Sequence, residues 1–145
     1  MDREIEQKIE QIRPLAEAGD AKAQCELANC YWESGKKEEA LKWLRKAAEQ
    51  GYPESQWRLG KCLLDGEDKA EAVRYLLKAA EQEHDYAQCL AGICYLEGNG
   101  TPKNEANAEK WLRNSAKQGN DDARRELYNY LCSNGRIDEA QEWAP

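Results

Sequence analysis

The sequence predicts an all-α fold: a solenoid of four helix-turn-helix units preceded by one capping helix. Three observations carry this. Ala23, Ser55, Ala87 and Ala123 recur at spacings of 32, 32 and 36 residues, with Leu27, Leu59, Ala91 and Leu127 each four residues further on. Ala40, Ala72, Ala108 and Ala140 recur at 32, 36 and 32, with Trp43, Tyr75, Trp111 and Trp143 three residues later. The composition is that of helices, rich in Ala, Glu, Lys, Leu and Gln, with only 4 Pro in 145 residues. A fixed period in this range marks stacked helical hairpins, none of which can bury its apolar face alone.

The elements follow in order. Residues 1–19 carry Ile5, Ile9, Ile12, Leu15 and Ala16 at helical spacing, and Gly19 falls in register with Gly51. This reads as the second helix of a preceding unit, acting as an N-terminal cap; Pro14 is expected to kink or split it near Arg13. Unit one spans 20–51. Asp20 is a good N-cap, and Ala23, Leu27, Ala28 and Tyr31 keep one helix face. Gly35 ends the first helix; the second starts near Lys36 and presents Ala40, Trp43, Leu44, Ala47 and Ala48 before Gly51 stops it. Unit two, 52–83, opens with Pro53 at a first helical position. It repeats the pattern with Leu59, Gly60 and Leu63, then Ala72, Tyr75, Leu76, Ala79 and Ala80. Unit three, 84–119, carries Ala91, Gly92 and Tyr95, then Ala108, Trp111, Leu112 and Ala116. Its Gly98–Pro102 connection is the longest and is expected to be the most flexible. Unit four, 120–145, starts at the N-cap Asn120 with Leu127, Tyr128 and Leu131, and its second helix stops short at Trp143. No capping helix follows, so that end is expected either to be trimmed or to pack on another molecule, a route to a homo-oligomer.

The small residues have a mechanical reading. Ala28, Gly60 and Gly92 are placed where the two helices of a hairpin cross, and a larger side chain there would push them apart. Trp43, Tyr75, Trp111 and Trp143 read as wedges in the packing.

Charge and cysteine content exclude several classes. The net charge is −7, which repels phosphate and argues against nucleic acid; the sharper expectation is a basic partner. No apolar run reaches the roughly 18 residues a spanning helix needs. Cys25 and Cys30 are five apart in one helix, as are Cys89 and Cys94. Five residues place the two Cα atoms roughly 8–9 Å apart, beyond the limit of about 7 Å for a disulfide. Cys30, Cys62 and Cys94 hold one position in successive units and read as small apolar residues. Free thiols favour a cytoplasmic location, with a secreted or injected effector as the alternative. There is no CxxC pair and His84 is the only histidine, so neither a metal nor any other cofactor is expected. No nucleophile elbow, phosphate loop or HExxH occurs, and His84 falls at a helix start where a capping role is ordinary; the chain does not read as an enzyme.

Unit three reads Ala87, Ala91-Gly92, Tyr95, Gly98, Gly100-Thr101, Asn104, Ala108, Trp111-Leu112, Ser115-Ala116 and Gln118-Gly119. This resembles the Sel1-like repeat, a 36-residue relative of the tetratricopeptide repeat, and the resemblance covers residues 20–145. Units one, two and four lack four residues between their helices: Tyr31 to Ala40 is nine steps, Tyr95 to Ala108 thirteen. The resemblance implies an adaptor or scaffold that holds peptides or proteins, in a family with many bacterial members. A cysteine-rich branch of that family joins the two helices of each repeat by a disulfide. No second helix here holds a cysteine, so that branch and its suggested penicillin-binding activity are not carried over.

By analogy, the first helices line a concave face. Its expected content includes Cys25, Asn29 and Trp32; Trp57, Lys61 and Leu64; Tyr86, Cys89 and Leu96; Arg125 and Asn129. Its charges are three basic (Lys22, Lys61, Arg125) against five acidic (Glu33, Glu54, Asp65, Glu97, Asp122), a net of −2. Trp32 and Trp57 lie off the core stripe, and exposed tryptophans are enriched at binding hot spots. Two functions compete. In one, Trp32, Trp57, Tyr86, Leu64 and Leu96 form an apolar groove for a peptide or protein loop, with Asn29 and Asn129 bonding its backbone and Lys61 and Arg125 beside it. In the other, an acidic inhibitor or immunity-type protein clamps a basic toxin or enzyme.

Overall fold

The computed structural model describes residues 2–145; Met1 lies outside them. These residues form nine helices and no strand: α1 Arg3–Glu17, α2 Ala21–Glu33, α3 Lys37–Glu49, α4 Pro53–Leu64, α5 Lys69–Glu81, α6 Asp85–Glu97, α7 Glu105–Lys117, α8 Asp121–Ser133 and α9 Ile137–Gln141. Each first helix packs on its own second helix and on the second helix of the preceding unit, and α1 stands in for that helix in front of α2.

One expectation fails at the N-terminus. α1 runs unbroken through Pro14. The proline sits in the last turn, where its missing N–H removes a single helical bond. Beyond it, the Ala18 N–H donates back to the Pro14 carbonyl at 3.0 Å, and buried Ile9 and Ala16 hold the helix on α2.

Side-chain caps fix the starts of α1, α2 and α5–α8, whereas α3, α4 and α9 start without one. Asp20 accepts from the Ala23 N–H at 2.8 Å and Asn120 from the Ala123 N–H at 2.9 Å. Asp68 and Asn104 do the same for α5 and α7, at 3.1 and 2.9 Å. Stops after α1, α3 and α7 use Gly19, Gly51 and Gly119 in the left-handed region. Unit two has Glu83 at the equivalent position, with φ +67°, a conformation that strains a residue with a Cβ.

The crossing positions behave as the spacing requires. A Cβ on Gly60 would stand 2.7 Å from Leu76 Cγ, and one on Gly92 2.8 Å from Leu112 Cγ. Unit four reverses the sizes: Tyr128 holds the glycine position and Ala144 the leucine position. The four wedges are buried, with Trp43 6%, Tyr75 4%, Trp111 8% and Trp143 9% exposed. Lys46 and Lys110 lie over the faces of Trp43 and Trp111.

A polar ladder also ties the units together. Gln24, Gln56 and Gln88 are buried, and each donates to a carbonyl of the preceding helix: Ala16 at 3.0 Å, Ala48 at 3.2 Å and Ala80 at 3.1 Å. Each then accepts from the glutamine that ends its own hairpin, Gln50, Gln82 or Gln118, at 2.8 Å. Unit four has Arg124 at this position. Its short end is held instead by Glu109, which accepts from Arg136 at 2.6 and 3.0 Å and from Arg113 at 2.8 Å. The Arg136 bonds foremost, outweighing burial and joined by Arg113, hold the Glu109 carboxyl below its ordinary value.

The 98–104 connection is long but not free. Gly100 lies so close to α5 that a Cβ would stand 2.4 Å from the Lys69 carbonyl oxygen and 2.9 Å from Val73. The four extra residues of unit three therefore pack back on unit two.

Candidate partner-binding cleft

The core stripe of α2 runs through Ala23, Leu27, Ala28 and Tyr31, all buried. Trp32 follows Tyr31 by about 100° around the helix, which turns its indole out of the core, 42% exposed. On α4 the stripe runs through Ser55, Leu59 and Gly60, and Trp57 falls beside it, half-buried. The two indoles line one cleft of about 570 Å³ between the first hairpin and α4. Its apolar wall is Ala28, Leu41 and Leu44; Asn29, Lys37, Arg58, Lys61, Cys62 and Asp65 complete it.

Two lysines sit on the tryptophans. Lys37, the first residue of α3, places Nζ 5.5 Å from the Trp32 ring centre, and Lys61, one turn after Trp57, places Nζ 5.4 Å from its ring. Both distances are in the range of cation–π attraction.

Beyond Trp57 the aromatic surface continues into unit three. Tyr86, 54% exposed, stacks on Trp57 with ring centres 5.7 Å apart, and His84 lies 5.9 Å from the same indole. His84 is held from two sides. Its Nδ1 accepts from the Ala87 N–H at 3.2 Å, capping α6. That leaves the proton on Nε2, which donates to Glu54 Oε2 at 2.7 Å. Glu54 Oε1 accepts from Arg58 Nε at 2.9 Å, and Arg58 also donates to the Asn29 side-chain oxygen. Burial works against the Glu54 carboxylate, but the His84 and Arg58 bonds outweigh it and hold its pKa below the ordinary value. The network runs along one side of the cleft and joins α2, α4 and α6, so Trp57 and Tyr86 rest on a fixed support.

Four of the residues expected at a binding face, Asn29, Trp32, Trp57 and Lys61, come together here, and Tyr86 extends the surface through its stack. Leu64 packs on the core around Val73 and Leu76. Leu96 packs in the separate core of unit four. Arg125 pairs with Asp122 at 2.8 Å, and Asn129 is exposed on α8. Cys25 and Cys89, expected on the inner face, are buried at 3% and 6% exposure, because each faces the first helix of the following unit: Cys25 lies near Glu54 and Arg58, and Cys89 near Asp122 and Glu126 in the core it shares with Ala123 and Leu127. The sequence reading missed Lys37, Leu41 and Leu44 because it built the surface from first helices alone. It missed Arg58 too, although the Glu54–Arg58 spacing of one turn was visible.

The cleft carries no catalytic signature. Burial foremost, then the nearby Asp65 carboxylate, pushes the Cys62 thiol up, which disfavours the nucleophilic thiolate. Among the described residues, no three His, Cys, Asp or Glu side chains gather where a metal could sit, and no helix is long and apolar enough to cross a membrane.

Stacked hairpins tied by ladder glutamines, with exposed aromatics between two units, define a helical-repeat scaffold of the kind that holds other proteins. The chain belongs to the Sel1 repeat family, whose model matches residues 21–52, 53–84 and 85–120. Proteins of this family generally mediate protein–protein interactions and are typically scaffolds without catalytic activity. The chain is 36% identical to a protective antigen of uropathogenic Escherichia coli that displays an SLR fold, with a TM-score of 0.86 over 93% of this chain and 32% of that one. It thus spans about a third of that relative's length. A Sel1 repeat protein from Oxalobacter formigenes is 31% identical, with a TM-score of 0.75 over 82% of this chain and 96% of that one. A Klebsiella pneumoniae Sel1 repeat protein shares the fold at 24% identity and a TM-score of 0.68, over 92% of this chain and 69% of that one. No curated protein matches the sequence.

Proposed function

We propose that this chain is an adaptor that holds a segment of a partner protein in the cleft between its first hairpin and α4. The observation that carries the reading is the convergence of two accessible indoles on one concavity with an apolar floor. Tryptophan supplies large contact area at little conformational cost and dominates many interfaces. Trp32 and Trp57 are the anchors, and Leu41 and Leu44 receive an apolar side chain. Arg58 holds the Asn29 oxygen, which leaves the Asn29 amide group to donate to a backbone carbonyl of the ligand.

The test is selection of peptides from a random display library on the wild-type chain, followed by affinity measurement on Trp32→Ala/Trp57→Ala. Circular dichroism of the variant should keep the wild-type helical spectrum, since Trp32 is exposed and Trp57 packs only partly buried against the edge of the core, and affinity should fall at least about a hundredfold. Unchanged affinity would refute the cleft.

The acidic-inhibitor reading rests on the net charge of −7. A complex with a basic protein that survives the double tryptophan substitution and dissociates in salt would favour it. The six free cysteines support a reducing compartment, so the proposed location is the cytoplasm; recovery from the culture medium of intact cells would overturn that.

A further inference from the structure

We propose that the segment held in the cleft is acidic: a short extended peptide with an apolar side chain flanked by aspartate or glutamate. The proposal rests on the cleft reading above and goes beyond it by naming the partner's chemistry.

The argument begins from a local departure. The chain carries 28 acidic and 21 basic residues, yet the cleft presents Lys37, Arg58 and Lys61 against Asp65 alone. These three cations are not equivalent. Arg58 is committed to Glu54 at 2.9 Å and to Asn29. Lys37 and Lys61 form no ion pair among the described residues; each has its ammonium over an indole face instead. An ammonium seated on a ring is held in place by a partner that leaves its charge uncompensated, so its remaining N–H groups stay available to a carboxylate. The two ammonium groups attract an anion at the cleft itself, against the acidic character of the rest of the chain, and a basic peptide meets them as two positive charges at the point of entry.

The apolar wall decides what kind of anion fits. Leu41 and Leu44 offer a carboxylate nothing but do bury a hydrocarbon side chain. A volume of about 570 Å³ holds a few residues of extended chain. Nucleic acid is disfavoured because a phosphate backbone needs a continuous basic stripe, and Lys37, Lys61 and the committed Arg58 form only a local cluster.

Three pools of end-blocked, fluorescein-labelled hexapeptides distinguish the outcomes. In each, leucine or tryptophan alternates with one fixed residue: glutamate, glutamine or lysine. Anisotropy titrations use the full chain at low salt. The glutamate pool should bind about tenfold more tightly than the glutamine pool, and the lysine pool more weakly than both. Lys37→Gln/Lys61→Gln should erase the preference for glutamate while keeping the weaker affinity common to both pools. Equal binding of the glutamate and glutamine pools, lost in Trp32→Ala/Trp57→Ala, would refute the acidic partner and leave the cleft standing. Tighter binding of the lysine pool would refute it in favour of a basic partner. Binding of none of the pools would overturn both readings.

Discussion

Replacing Gly60 by alanine tests whether α4 and α5 are as close as the structure places them, and hence whether Trp57 is presented at the right height. In an ordinary helix this change stabilises by about 1 kcal/mol, because alanine loses less backbone entropy than glycine. Here the new methyl group would stand 2.7 Å from Leu76 Cγ, 2.9 Å from Cδ2 and 3.1 Å from the Ala72 carbonyl. Carbon contacts are comfortable only near 3.5–4.0 Å, and Leu76 is fully buried, so it cannot swing away. Overpacking of this kind costs about 1–3 kcal/mol, which leaves a net destabilisation of about 1 kcal/mol and a melting temperature lower by about 3 °C. The double-mutant cycle gives the sign independently. In a Leu76→Ala background both side-chain clashes are gone and only the Ala72 carbonyl at 3.1 Å remains, so Gly60→Ala should then stabilise by up to about 1 kcal/mol, a coupling of about 1–2 kcal/mol. Urea denaturation followed by far-ultraviolet circular dichroism measures all four proteins. Stabilisation by Gly60→Ala in both backgrounds would show that the helices are not in contact and would refute the reasoning.

Glu83→Gly should raise stability by about 0.5–1 kcal/mol, since Glu83 holds φ +67° where α1, α3 and α7 are followed by glycine; a lower urea midpoint would contradict this. Gln56→Leu should lose about 1 kcal/mol by removing the bonds from Gln56 Nε2 to the Ala48 carbonyl at 3.2 Å and from Gln82 Nε2 to Gln56 Oε1 at 2.8 Å, while the Gly51 N–H still donates to Ala48 at 3.0 Å; a neutral result would remove the ladder from the energetics. Burial pushes Cys25 and Cys94 up to about 11 and Cys89 up to about 12, from an ordinary value of 9.0. The folded chain keeps these protons when the unfolded chain has lost them. The stabilisation is therefore full below pH 9.0 and declines as pH rises toward 11–12, by at most ~1.4 kcal/mol per pH unit for each thiol. Melting temperatures across this alkaline range should fall less steeply in a Cys25→Ala/Cys89→Ala/Cys94→Ala variant; parallel slopes would refute the contribution of the thiols.

The repeat architecture was legible because its physics is periodic. A hairpin that must bury the same face four times writes the same small and aromatic residues four times, and Gly60 against Leu76 or Trp111 against its neighbours followed directly. The caps Asp20 and Asn120 were local chemistry and could be read one position at a time. The ladder was also written in sequence, as Gln24, Gln56 and Gln88 beside Ala23, Ser55 and Ala87, but a polar residue at a regular interval looks like a solvated face until its carbonyl partner is seen. The cleft was half legible. Trp32 and Trp57 stood out by falling off the core stripe, whereas Lys37 and Leu41 belong to a second helix and reach the cleft only through the close turn after Gly35. Leu64, Leu96, Arg125 and Asn129 were placed by analogy across all four units, while the structure opens its cleft between the first two. The 98–104 connection misled for a related reason: Gly-Asn-Gly-Thr-Pro reads as turn chemistry, and nothing local reveals that Gly100 is there to let the chain lie against Lys69.

The most direct test uses the five tryptophans, each of which gives one indole N–H resonance in the nitrogen-15 spectrum. Titration of the labelled chain with the tightest peptide selected on it should move the Trp32 and Trp57 indole signals, leaving Trp111 and Trp143 in place, with Trp43 affected only through its neighbour Leu44. Movement of Trp111 or Trp143 with Trp32 and Trp57 stationary would place the partner at the far end of the solenoid and contradict the cleft.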